Sequence, residues 1–159
     1  MKHDKLAKLL KVIIAGTTLL GLFAAVIFIP EHAKTFKEMY PEFSHWLIPW
    51  LILLYTCAVP CFVAMGISWK IATNIGHDKG FTMENAGLFK IYSVLALIDT
   101  IVFLSGSIIY MFCGINHPGI LLISLFIAFV GFAVYVCTAG LSYLVAKAAT
   151  LQEDSDLTI

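Results

Sequence analysis

The chain has 159 residues, of which 60% are hydrophobic and 13% charged, with no formal net charge and a mean hydropathy of +0.94. Soluble domains carry about 25% charged residues, and no soluble interior could absorb this apolar surplus. The composition therefore argues against a separate soluble domain, and with it against soluble catalysis and direct nucleic-acid binding.

The apolar residues are gathered into four runs, at 12–29, 46–69, 91–113 and 118–146. A bilayer core of roughly 30 Å needs about 20 apolar residues per helical crossing. None of the runs alternates apolar with polar positions as a membrane strand does, and lipid leaves a single crossing segment no hydrogen-bond partners outside its own helix. The sequence thus predicts an all-α fold: one integral membrane bundle of four transmembrane helices spanning 1–159, partnered by the lipid bilayer, with a tail at 147–159.

Lys2, Lys5, Lys8 and Lys11 precede the first run, and Pro30-Glu31-His32-Ala33 follows it without the small-x-small pattern of a cleavage site. The run reads as an uncleaved anchor. Its Thr17, Gly21 and Ala25 form a small-residue ridge that permits close helix contact, most simply within the chain, with homodimerisation as the alternative.

Residues 30–45 set Glu31, Glu38 and Glu42 against Lys34 and Lys37, with Pro41 as an interruption. A short interfacial helix is expected before Pro41, and Phe36, Tyr40, Phe43, Trp46 and Trp50 suit the headgroup zone. In the second run, Pro49 and Pro60 each delete a backbone hydrogen bond and predict a kink. Cys57 and Cys61 flank Pro60 at Cys-x-x-x-Cys spacing, one residue longer than the redox motif. Deep in a crossing a thiolate is disfavoured, so packing thiols are preferred over a membrane thiol oxidoreductase.

Gly76, Asp78 and Gly80 mark a turn, and Thr82 is suited to cap the next helix by accepting from an orphan N–H. Glu84 favours the same helix end through the dipole. Residues 83–90 read as a helical run-in to the third crossing, where Asp99 is the one charged side chain inside any of the four runs. A carboxylate at that depth costs about 2.5–3.5 kcal/mol on insertion scales. Helical spacing sets Tyr92, Ala96, Asp99, Phe103, Gly106, Tyr110 and Cys113 on one stripe, expected to face the bundle. Thr17, Thr18, Thr138 and Ser142 lie at similar depth and are its candidate hydrogen-bond donors. These five residues form the candidate ligand or proton site, and a purely structural contact is the alternative.

The loop at 114–117 is so tight that the last two helices must be antiparallel neighbours. The five histidines show no i,i+4 pair and Cys113 has no evident partner, so neither a metal site nor a cofactor is expected. The tail carries Glu153, Asp154 and Asp156 with Leu157 and Ile159. Asp154, Asp156, Leu157 and Ile159 are candidate partner-binding residues, which could add as a strand to a partner's sheet edge. Lysines are retained on the cytoplasmic side. Lys2, Lys5, Lys8, Lys11, Lys70, Lys79, Lys90 and Lys147 against Lys34 and Lys37 put both termini and the loop near Gly76 inside.

Tyr40-Pro41-Glu42-Phe43, Pro60, Asp78 with Phe81-Thr82, and terminal Asp156-Leu157-Thr158-Ile159 together resemble the YoaS-like family of small bacterial membrane proteins of unknown function. The family pattern has Asn before the terminal Asp-Leu-Thr, where this chain has Ser155. The resemblance implies a four-helix protein of the bacterial cytoplasmic membrane, often encoded beside a small helix-turn-helix transcription regulator, and supplies no catalytic residue. The functional expectation is a non-enzymatic regulatory or sensor protein. The rival is a small-molecule or lipid-binding or transport bundle centred on Asp99.

Overall fold

The computed structural model describes residues 3–156. Helix α1 (His3–Phe23) runs through a π segment (Ala24–Phe28) into α2 (Ile29–Met39), and a 3-10 turn (Pro41–Phe43) leads into α3 (Ser44–Gly76). Helices α4 (Met83–Phe112) and α5 (Pro118–Asp156) complete the fold. Four helical stretches are long and apolar enough to cross a membrane. Each outruns the apolar segment that identified it. Hydropathy marks only the lipid-immersed part of a helix, whereas its hydrogen bonds continue into the headgroups. The tail is part of this extension, because α5 continues to Asp156. Over its described part the tail is helical in the free chain, so adding as a strand to a partner's sheet edge would require these turns to unwind.

The pairings run in order: α1 against α3, α3 against α4, and most extensively α4 against α5. The closest pairings thus form a layer in chain order, and α1 and α5 also meet α3 and α4 around two shared pockets. At one end Leu6, Ile75, Phe81, Phe89, Leu141 and Val145 line a cleft of about 330 Å³ where the four helices converge. The start of α1, the α3–α4 loop and the final turns of α5 therefore share an end, together with the lysines flanking them. Helix α2 and the α4–α5 loop lie at the other.

Small residues fill the contacts. Ala7, Ala64, Ala72, Ala86, Ala128 and Ala149 are buried, as are Ser93, Ser107 and Ser124, while Leu20, Val26, Ile48, Phe126 and Phe129 are exposed. Lipid is as apolar as leucine, so helices associate in membranes through close packing of small residues rather than by hiding large ones. Gly106 lies under Leu53, and a Cβ at Gly131 would collide with Thr100 Oγ1.

Both turns around α4 are closed by the same device. Beyond α3, Asp78 takes a left-handed φ of 59°, with Lys79 N donating to Asn74 O at 2.9 Å and Asp78 N to Ile75 O. Beyond α4, Gly114 takes φ 70°, with Ile115 N donating to Tyr110 O and Gly114 N to Met111 O. These paired bonds satisfy helix-end carbonyls in the Schellman pattern. Thr82 caps α4 as the sequence predicts, accepting from Asn85 N at 3.3 Å.

The π segment has a local cause. Ile29 N donates back five residues to Ala24 O, so the next residue would donate to Ala25 O. That residue is Pro30, which has no N–H. Tyr55 of α3 fills the gap, its hydroxyl donating to Ala25 O at 2.8 Å.

Candidate functional site

Asp99 lies midway along α4, where α3 and α5 flank it. Pro60, Cys61 and Ala64 of α3, Tyr92, Ala96, Asp99 and Thr100 of α4, and Gly131 and Val134 of α5 line a cavity of about 190 Å³. Cys61 and Val134 are exposed, so the cavity opens through the side of the helix layer. Gly131 lets α5 close onto α4 here, because its missing side chain leaves room for Thr100.

The carboxylate has an unequal environment. Cys61 Sγ donates to Asp99 Oδ2 at 3.6 Å, a long bond from a weak donor. Cys57, one turn earlier on α3, is close enough to interact with the same group. Asp99 Oδ1 is buried and has no hydrogen-bond partner; among the described residues, Trp46 Nε1 is the other such side-chain atom. The indole nitrogen lies near the start of α3, whereas the carboxylate lies midway along α4.

The expected hydroxyl donors are not the ones found. Thr17 donates to Ile13 O at 2.9 Å, Thr18 to Ile14 O at 2.7 Å and Thr138 to Val134 O at 2.7 Å, each within its own helix. Ser142 does cross between helices, but to Ala86 O at 2.8 Å. A β-hydroxyl in a helix reaches the carbonyl four residues back without leaving its helix, and depth in the membrane says nothing about direction. The grouping of Thr17, Thr18, Thr138 and Ser142 around Asp99 is therefore corrected: the neighbours are Cys61 and Cys57. Sequence reasoning treated those thiols as packing groups. Their i,i+4 spacing beside Pro60 was the available signal, but nothing in the sequence related it to Asp99.

Two polar clusters escaped the sequence reading. At the lysine-rich end, Asn85 is 0% exposed. Its Oδ1 accepts from Asn74 Nδ2 at 2.8 Å, and its Nδ2 donates to Lys79 O and Gly80 O at 3.1 and 3.0 Å. At the opposite end, Ser107 donates to Ser124 Oγ at 2.8 Å, and Asn116 Nδ2 donates to Ser107 O at 2.9 Å. Trp50 Nε1 donates to Ile115 O at 3.1 Å and Tyr110 to Pro49 O at 2.9 Å. Both clusters are internally satisfied and hold turns, which leaves Asp99 Oδ1 and Trp46 Nε1 as the buried side-chain atoms without a partner among the described residues.

Of the partner-binding candidates, Asp154 is exposed at the end of α5 and Asp156 is placed only as the helix's final backbone residue. Leu157 and Ile159 lie outside the described residues. Among the described residues, no three His, Cys, Asp or Glu side chains group closely enough to hold a metal ion.

The family model described as protein of unknown function (DUF2975) matches residues 31–159. The chain is also 26% identical over 149 residues to the uncharacterized membrane protein YoaS of Bacillus subtilis (strain 168), covering 92% of each. No solved structure matches it. The resemblance read from the sequence motifs holds.

Proposed function

The chain belongs to the DUF2975 family of proteins of unknown function, and within it we propose a non-enzymatic membrane sensor whose responsive element is the cavity beside Asp99. The observation that carries this reading is the buried, unpartnered Asp99 Oδ1 at a cavity shared by α3, α4 and α5. Ionisable groups inside membranes are costly and mark sites by default. Here the protein supplies only weak thiol donors, Cys61 with Cys57 beside it, where a structural role calls for full satisfaction. A bound molecule or a proton at Asp99 changes what α3 and α5 pack around, and both helices lead to the lysine-rich end.

The proposed setting is the bacterial cytoplasmic membrane with both termini inside. The output is a cytoplasmic regulator of the small helix-turn-helix type held at the end of α5. The lysine distribution supports the orientation, and the family resemblance supplies the kind of partner, an associational warrant.

Affinity purification from native membranes tests the reading on the full chain, Asp99→Asn and a chain lacking residues 152–159. The full chain is expected to recover a small DNA-binding protein, identified by mass spectrometry, and the shortened chain to lose it. Asp99→Asn should recover a different amount at unchanged membrane abundance. Recovery identical for the full chain and Asp99→Asn sinks the sensor reading.

A further inference from the structure

Resting on that reading and extending it, we infer that the Asp99 cavity binds a small lipophilic primary amine in its ammonium form. Asp99 is the one charged side chain within the four apolar runs, and all ten lysines lie outside them. No cation of the protein's own is available along these runs to pair with the carboxylate, so its charge is met either by a proton or by a cationic ligand. The hydroxyl of Thr100, which lines the same cavity, spends its hydrogen on Ala96 O at 2.7 Å. Cys61 occupies Oδ2 weakly, Cys57 approaches the same carboxylate as a second weak donor, and Oδ1 has no hydrogen-bond partner. What is missing is an N–H or O–H donor, and a cationic donor gains most because hydrogen bonds to ionised groups are about twice as strong as neutral ones.

Size and lining define the rest of the molecule. An apolar cavity of about 150 Å³ holds benzene, so about 190 Å³ accommodates an aromatic ring with a one-carbon amine arm. Ala64, Met65, Leu95, Ala96 and Val134 supply the apolar wall, and Tyr92 adds one aromatic ring. The terminal carboxylate torsion is broad and roughly two-fold, so either oxygen can turn toward the cavity. The exposed Cys61 and Val134 mark a lateral entrance through which a membrane-dissolved amine arrives.

The test uses three probes of one shape and different charge: 4-fluorobenzylamine, 4-fluorobenzyl alcohol and 4-fluorobenzoate. Binding is followed by ligand-observed fluorine NMR on the full-length protein in phosphatidylcholine nanodiscs, with empty nanodiscs subtracting partition into lipid. The amine is expected to saturate, with affinity about ten-fold or more above the alcohol, and the benzoate to show no saturable binding. Asp99→Asn keeps the side chain's shape and should erase the preference for the amine. Ala96→Phe, which fills the cavity and leaves the carboxylate in place, should weaken the amine similarly. An alcohol that binds as tightly as the amine, or an amine that binds Asp99→Asn as well as the wild type, overturns the inference. Saturable, Asp99-dependent amine binding without any change in regulator recovery upholds the ligand class while the sensor reading falls. Regulator recovery that responds to Asp99→Asn, with no saturable amine binding, does the reverse.

Discussion

The amide of Asn85 accepts from one helix and donates to two carbonyls of the loop between helices, so one buried side chain joins the end of α3, the loop and the start of α4. Removing it strands Gly80 O and Asn74 Nδ2 and leaves Lys79 O with the Thr82 hydroxyl at 3.2 Å, and a buried polar group left unsatisfied costs about 1–3 kcal/mol. Asn85→Ala is accordingly expected to lower the melting temperature in detergent clearly, and Asn85→Asp nearly as much, because a carboxylate cannot donate to those carbonyls. A small effect of Asn85→Asp would show that the loop is not held by these two donors. Single residues differed in how well the sequence announced them. Asp99 stood out because a charge interrupting an apolar run has to be accommodated. Thr82 was legible because capping is local chemistry set by the next three residues. Asn85, three positions after a cap, looks the same in sequence whether it is solvated or fully buried, and only the approach of α3 decides which. The same limit hid the Cys61–Asp99 contact, whose partners stand 38 positions apart.

Among elements, the joint between α1 and α2 joins a proline, a change of helix register and a donor from a neighbouring helix. If the missing Pro30 N–H is what Tyr55 replaces, the two residues must be energetically coupled. Tyr55→Phe in the natural background is expected to cost about 0.6–1.7 kcal/mol, the range of hydrogen bonds between membrane helices. In a Pro30→Ala background the restored N–H lets the local helix satisfy Ala25 O, and the same Tyr55→Phe change should then cost close to nothing. A double-mutant cycle in detergent melting reads this directly, and additive effects would dismiss the proposed cause of the π segment. Crossings were the most legible elements, since length and hydropathy alone mark a bilayer-spanning helix. Their register was not: the sequence located Pro30 as the end of a run, but the helix continues through it because a hydroxyl on α3 supplies what proline withholds.

At the scale of the whole molecule, the layer α1, α3, α4, α5 gathers the described lysines Lys5, Lys8, Lys11, Lys70, Lys79, Lys90 and Lys147 toward one end and leaves Lys34 and Lys37 at the other. The sequence foresaw four helices and this separation of charge, since both follow from the order of apolar and basic segments. It did not foresee which helices pack most closely, because that depends on which faces carry small residues. Ala7 approaches Gly76 and commits α1 to α3, while the serines and glycines of α4 and α5 commit those helices to each other. If the lysine-rich end faces the cytoplasm, as basic loops generally do, every loop has an assigned side. Single cysteines at His77→Cys and Lys34→Cys, placed in a chain whose Cys57, Cys61, Cys113 and Cys137 are replaced by serine or alanine, should then respond oppositely to a membrane-impermeant maleimide on intact cells. Lys34→Cys is expected to label at once and His77→Cys only after the membrane is permeabilised. The reverse pattern would invert the protein, put the end of α5 outside and remove any access for a cytoplasmic regulator. Labelling at both positions in intact cells would mean the lysine difference is too small to fix one orientation, a dual insertion that the wide separation of basic residues argues against.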